Sequence, residues 1–121
     1  MVSKIGLVGI GRMGHFMGLN LLRAGYPLYI HDLRESAASN LVQQGAVWCD
    51  RPSTLFESVD IVLFSLFDSS SVRDVIEKVK ACDLTGKVIV DTTTIPPNDA
   101  QAYAQTIEKQ GGNFIDAPVT G

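Results

Sequence analysis

Gly9, Gly11 and Gly14 stand in the spacing G-x-G-x-x-G, with Ile10, Arg12 and Met13 between them. The apolar run Ile5-Gly6-Leu7-Val8 precedes this turn, and residues of helical spacing follow it. In that setting each glycine has its own task. Gly9 would permit the tight turn, Gly11 would let a pyrophosphate approach the backbone, and Gly14 would let the helix lie close to the strand. The free N–H groups and the positive dipole end of the helix then suit phosphate. A plain strand-to-helix loop also uses glycines for packing, but all three in place favour a dinucleotide. Asp32 ends the next strand, 18 residues past Gly14. A carboxylate there accepts hydrogen bonds from the adenosine ribose and repels the extra phosphate of NADP, so NAD is the first choice. Arg34 would reach that phosphate if Asp32 swung away; its plainer role is a solvated residue at a helix entrance.

The other strand ends offer further polar groups. Leu66, Phe67 and Ser71 follow the fourth apolar run, where Phe67 could cover a cofactor and Ser71 could cap a helix or touch phosphate. Asp91-Thr92-Thr93-Thr94 follows the fifth run and presents hydroxyls, although threonine also suits a strand edge. Asp116-Ala117-Pro118-Val119-Thr120-Gly121 follows the sixth, where a hydroxyl and backbone N–H groups could hold a carboxylate. His15 and His31 are read as structural or solvent-facing. A helix N-terminus disfavours an imidazolium at His15, and His31 belongs to the adenosine half. Two histidines and the separate Cys49 and Cys82 give no metal-ligand spacing. The lysines are placed at the amino edge of the sheet, Lys78 included, so no general acid is expected at the ligand edge and no catalytic residue is assigned in this chain.

These residues must be carried by alternating strands and helices. Strands are read at 5–8, 28–30, 46–48, 60–64, 87–90 and 113–115. Helices are read at 12–24, 36–44 and 52–57, from the Asp68-Ser71 cluster to about 81, and from Pro96 to the Gly111-Gly112 stop. The fold class that follows is α/β: a doubly wound parallel sheet (Rossmann) of six strands with helices on both faces. The 121 residues suit one domain, and 45% hydrophobic residues supply a core. A net charge of −3 argues against nucleic acid or an anionic membrane as the main partner. No apolar run approaches a membrane span, and sparse cysteines make a reduced, cytoplasmic setting the default.

With those motifs stated, the sequence resembles the β-hydroxyacid dehydrogenases, the 3-hydroxyisobutyrate and 6-phosphogluconate dehydrogenase superfamily. The turn Gly9–Gly14 with Met17, Asn20, Leu21 and Gly25 looks like that family's opening signature. Asp91-Thr92-Thr93-Thr94-Ile95 with Pro97 resembles its D-x-S-T-I-x-P segment, and Asp116–Gly121 resembles its D-A-P-V-S-G-G substrate motif. The resemblance implies cofactor contacts at Gly9, Ile10, Gly11, Arg12, Met13, Gly14, Asp32, Leu66, Phe67, Ser71 and Thr94. It implies substrate-carboxylate contacts at Thr120 and Gly121. Phe67 stands where the family has proline, and Thr120 where it has serine. The family's general acid is a lysine of a helical second domain. The expectation is therefore that residues 1–121 are the NAD(P)-binding domain of a longer hydride-transferring enzyme, truncated here and inactive alone. Cut in this way, its last strand would expose an edge inviting a second copy. The alternative is a non-catalytic NAD-binding sensor domain, in which the Asp116–Gly121 motif has no role.

Overall fold

The computed structural model describes residues 2–119. In chain order the elements are β1 (Ile5–Val8), α1 (Arg12–Arg23), β2 (Leu28–His31), a 3-10 turn (Glu35–Ala38) and α2 (Ser39–Gln43). Then come β3 (Val47–Trp48), α3 (Pro52–Ser58), β4 (Ile61–Phe64), α4 (Ser69–Lys78), β5 (Val88–Asp91), α5 (Pro97–Lys109) and β6 (Asn113–Asp116). The strands form one sheet in the order β3-β2-β1-β4-β5-β6. Every pairing is parallel. The chain leaves β1 toward β2 on one side and later returns to β4 on the other. That reversal is the switch point of a doubly wound sheet, and it opens a crevice beyond the carboxyl ends of β1 and β4.

Side-chain alternation sends two sets of residues to two cores. Ile5, Leu7, Leu28 and Ile30 pack with Ala38, Leu41 and the inner face of α1. Val8, Val62, Phe64 and Ile89 pack with Leu55 and Phe56 of α3, Val72 and Ile76 of α4, and Ile107 of α5. β1 is buried on both faces, as its unbroken apolar run predicts. β4 is not: Val62 and Phe64 are buried while Ile61 and Leu63 are half-buried. β5 alternates in the same way, and in-register Ile115 of β6 is 49% exposed. The face of β4–β6 opposite the α3–α5 core is therefore partly open.

Most element ends lie within a residue of the sequence reading, and three departures have a local cause. The helix expected at 36–44 begins as a 3-10 turn, with Ala37 N–H bonded to the Arg34 carbonyl and the Ser39 hydroxyl donating to the Ser36 carbonyl. Serine competing for backbone acceptors explains the tighter start. β3 is only two residues, pairing with Tyr29 and Ile30 before Cys49 turns away. α4 stops at Lys78 because Val79 and Lys80 bond back three residues, which ends the α ladder. Among the described residues no helix is long and apolar enough to cross a membrane.

Candidate functional site

The turn after β1 is built by close backbone approach. Gly9 has φ +100°, and a Cβ there would run into the Ser65 carbonyl. A Cβ on Gly14 would run into the Gly9 carbonyl. These two glycines are required by packing alone. Gly11 is different: a Cβ on it would meet nothing within 4 Å. Its backbone, at φ −83°, is one that any residue adopts. Gly11 is the N-cap of α1 and offers no side-chain cap, and the first turn carries no acid. The first ladder bond runs from His15 N–H to the Gly11 carbonyl. The N–H groups before it have no helical acceptor and are free for an anion.

Asp32 is fixed over this turn. Its Oδ2 accepts from Ile10 N–H at 2.7 Å and its Oδ1 from Arg34 N–H at 2.9 Å. Each oxygen keeps a further lone pair for a ligand. The swing of Asp32 that would free Arg34 for a phosphate is therefore opposed by two charge-assisted bonds. Beside it, His31 is buried, with Nδ1 at 2.8 Å from the Cys49 carbonyl. A carbonyl only accepts, so Nδ1 carries the proton and Nε2 is the remaining ring nitrogen. The ring stacks on Trp48 at 5.5 Å between centroids, and Trp48 Nε1 donates to Asp50 Oδ1 at 2.6 Å.

The opposite wall hangs from β4 and β5. Leu66 N–H donates to the Thr93 hydroxyl at 3.0 Å, and the Thr92 hydroxyl donates to the Phe64 carbonyl at 2.6 Å. Thr93 N–H in turn donates to Asp91 Oδ1 at 2.9 Å. Asp91 is fully buried, and its Oδ2 has no hydrogen-bond partner among the described residues. Burial pushes its carboxyl pKa up; the Thr93 bonds oppose this and Asp116 adds to it. Asp68 caps α4, accepting from Ser71 N–H at 3.0 Å and the Ser71 hydroxyl at 2.9 Å. Those bonds, with the Ser70 hydroxyl, hold the Asp68 carboxyl below its usual range. The Ser69 hydroxyl donates to Asp99 Oδ2 at 2.6 Å, tying the start of α4 to α5.

A cavity of about 520 Å³ lies between the two walls. Gly9, Gly11, Arg12, Met13, Asp32 and Arg34 line it on the turn side, and Leu66, Phe67 and Ser71 on the other. Ile10 and Gly14 stand behind it, Ile10 in the core and Gly14 against Gly9. Phe67 is 92% exposed at the rim. Thr94 is exposed and not among the lining residues; its neighbour Thr93 is the threonine that orders the wall. Thr120 and Gly121 lie outside the described residues.

Lys78 corrects the reading of the lysines, because it lines the cavity wall. Helix polarity had placed it at the far edge. Yet α4 has ten residues and rises only about 15 Å, within reach of a long side chain at its end. The signal was present: Ser71, Val75 and Lys78 recur at helical spacing, and all three line the cavity. Pro52 is a wall residue that sequence reasoning left out, and His31, read as structural beside the adenosine half, also lines the wall. His15 is not in the cavity; its Nε2 lies 2.8 Å from Asn40 Oδ1, joining α1 to α2.

The family described as the NAD binding domain of 6-phosphogluconate dehydrogenase matches residues 4–121. The 2-hydroxy-3-oxopropionate reductase of Escherichia coli (strain K12) is 34% identical over 121 residues, covering 98% of this chain and 41% of the relative. The chain thus spans about two-fifths of that relative's length. The solved 3-hydroxyisobutyrate dehydrogenase of Mycobacterium tuberculosis, with L-serine, superposes with a TM-score of 0.93 at 29% identity, covering 100% of this chain and 42% of that one. Psf3 in complex with NADP+ and 2-OPP gives 0.90 at 30% identity, covering 97% and 43%.

Proposed function

The chain belongs to the family of the NAD-binding domain of 6-phosphogluconate dehydrogenase, and from that premise we propose that it binds the dinucleotide of a hydride-transferring oxidoreductase acting on a small 3-hydroxy acid or its semialdehyde. The observation that carries the reading is Gly11. Packing does not demand a glycine there, and the open space beside it is cavity. A ligand lying against the backbone is what a Cβ would obstruct.

In this reading the uncapped N–H groups of α1 hold the pyrophosphate, and the free lone pairs of Asp32 accept the adenosine ribose hydroxyls. NAD is the preferred form because Asp32 is held in place facing the ribose. Met13, Leu66, Phe67 and Ser71 form the walls that orient the cofactor, with Thr94 further along the same edge. The bound nicotinamide supplies the hydride chemistry. Thr120 and Gly121 would meet the substrate carboxylate. No residue of this chain is proposed as general acid; a lysine on a further helical domain would supply the proton. The substrate class rests on relatives named for 2-hydroxy-3-oxopropionate and 3-hydroxyisobutyrate. Those relatives are enzymes, which favours this reading over a sensor domain.

The test is equilibrium binding. NAD(H) should bind in the micromolar range, and hydroxy-acid oxidation by these 121 residues alone should be negligible. Failure to bind either dinucleotide would end the proposal. Robust turnover by the chain alone would refute its division of labour.

A further inference from the structure

The wall made by Leu66 and Phe67 begins where β4 ends, so the ladder of the sheet does not hold it. Ser65 N–H still donates to the Val8 carbonyl at 2.9 Å, and Thr92 N–H still reaches the Phe64 carbonyl at 3.0 Å. Leu66 N–H is the next donor along the chain. Its acceptor is a side chain, the Thr93 hydroxyl at 3.0 Å. The position of the wall thus depends on how Thr93 is held.

Thr93 is held by a buried carboxyl. Asp91 Oδ1 accepts Thr93 N–H at 2.9 Å, which closes a turn as the chain leaves β5. Asp91 and Thr93 are 0% and 5% exposed, and neither lines the cavity. From the other side, Ala117 N–H donates to the Asp91 carbonyl at 2.9 Å and Val119 N–H to the Thr92 carbonyl at 3.3 Å. Residues 91–93 are therefore a bracket fixed from β6, and the Thr93 hydroxyl is the arm that reaches Leu66. The bracket comes at a cost in stability. Asp91 Oδ2 is buried without a partner among the described residues, where an apolar residue ending β5 would leave no polar atom unpaired. What the carboxyl supplies is an oriented acceptor that aims Thr93.

In the dinucleotide reading the adenosine ribose lies at Asp32 beyond β2 and the pyrophosphate on the glycine turn. The nicotinamide then falls on the β4 side of the switch point, against Leu66. We propose that Asp91 and Thr93 are positioning residues for the nicotinamide: acting through the Leu66 N–H, they hold the wall on which that ring lies and touch no ligand themselves. The proposal rests on the dinucleotide reading.

Calorimetry with NADH and with ADP-ribose, which lacks only the nicotinamide, separates this role from general support of the fold. General support moves both affinities or neither, whereas a hold on the nicotinamide wall moves NADH alone. The wild type should bind NADH more tightly than ADP-ribose. Thr93→Val, similar in shape but without the hydroxyl, should lose about fivefold for NADH and nothing for ADP-ribose. Thr93→Ser keeps a hydroxyl and should bind NADH close to the wild-type affinity. Asp91→Ala should repeat the selective loss, and Asp91→Asn, which keeps an acceptor for Thr93 N–H, should repeat the rescue. The Asp91 pair decides the matter if Thr93→Val is too unstable to titrate. Equal affinity of the wild type for the two ligands, equal losses for both in the variants, unchanged NADH affinity in Thr93→Val and Asp91→Ala, or a Ser variant as weak as the Val one would overturn the inference alone. Failure of the wild type to bind either ligand would overturn the dinucleotide reading itself.

Discussion

Both carboxylate oxygens of Asp32 receive a backbone N–H, one from Ile10 in the glycine turn and one from Arg34 beyond β2. The same side chain thus shapes the turn and faces the cavity. Asp32→Ala should weaken dinucleotide binding by about tenfold or more, since charge-assisted bonds contribute about 1.5–3 kcal/mol each. The melting temperature should fall as well, because two N–H groups lose their acceptors; a calorimeter and a thermal melt read the two effects. Asp91 makes a different prediction. Its folded pKa lies above its unfolded value, so the folded chain takes up the proton first as pH falls. The charged form is disfavoured by the fold at neutral pH, and that cost is relieved as pH drops through the raised pKa toward about 3.9. Melting curves over that range should show the wild type gaining on Asp91→Asn. A constant difference would mean that Asp91 does not titrate there.

At the scale of elements, the three turn glycines separate into two kinds. Gly9→Ala and Gly14→Ala should both destabilise strongly, because each Cβ meets a carbonyl oxygen that belongs to the turn itself or to β4's exit. Gly11→Ala should cost far less, about 1 kcal/mol, because its Cβ touches nothing and only the poorer N-cap of α1 is felt. The cap of α4 adds a pH-dependent term. The folded pKa of Asp68 is lowered, so its contribution is present above the unfolded value and is lost as pH falls through the folded one. Asp68→Ala should therefore lower the melting temperature at neutral pH, with the difference vanishing in acid. Sequence spacing made the turn, Asp32 and the α4 cap legible, because each depends on neighbours within a few residues or on one strand end. The 3-10 start at Glu35 and the early end of α4 were not legible, being set by local competition for carbonyls. Lys78 was missed for a third reason: edge assignment by helix direction ignores how short α4 is.

The whole molecule is one sheet with two cores, and although alternation allows more than one strand order, it implies a parallel sheet with helices on both faces. That much the apolar pattern carries without help. It did not reveal that β4 and β5 are covered well on only one face, since Ile61-Val62-Leu63-Phe64 reads the same whether one or both faces are covered. The α3–α5 core carries the larger aromatic load: Phe56 and Phe64 are both fully buried, 6.1 Å apart between ring centroids. Phe64→Ala should cost about 3–5 kcal/mol in denaturant unfolding, a large share of the roughly 5–15 kcal/mol typical of a domain. Phe64 is the last residue of β4, so that loss would also loosen the Leu66 wall of the cavity. The central claim joins fold to function at one position, Gly11. The direct measurement is a calorimetric titration of NADH into the wild type and into Gly11→Ala at matched melting temperature. Saturable one-to-one binding by the wild type, weakened at least about tenfold in the variant, is the predicted result. No saturable heat from the wild type, or equal affinity in the two proteins, would contradict it.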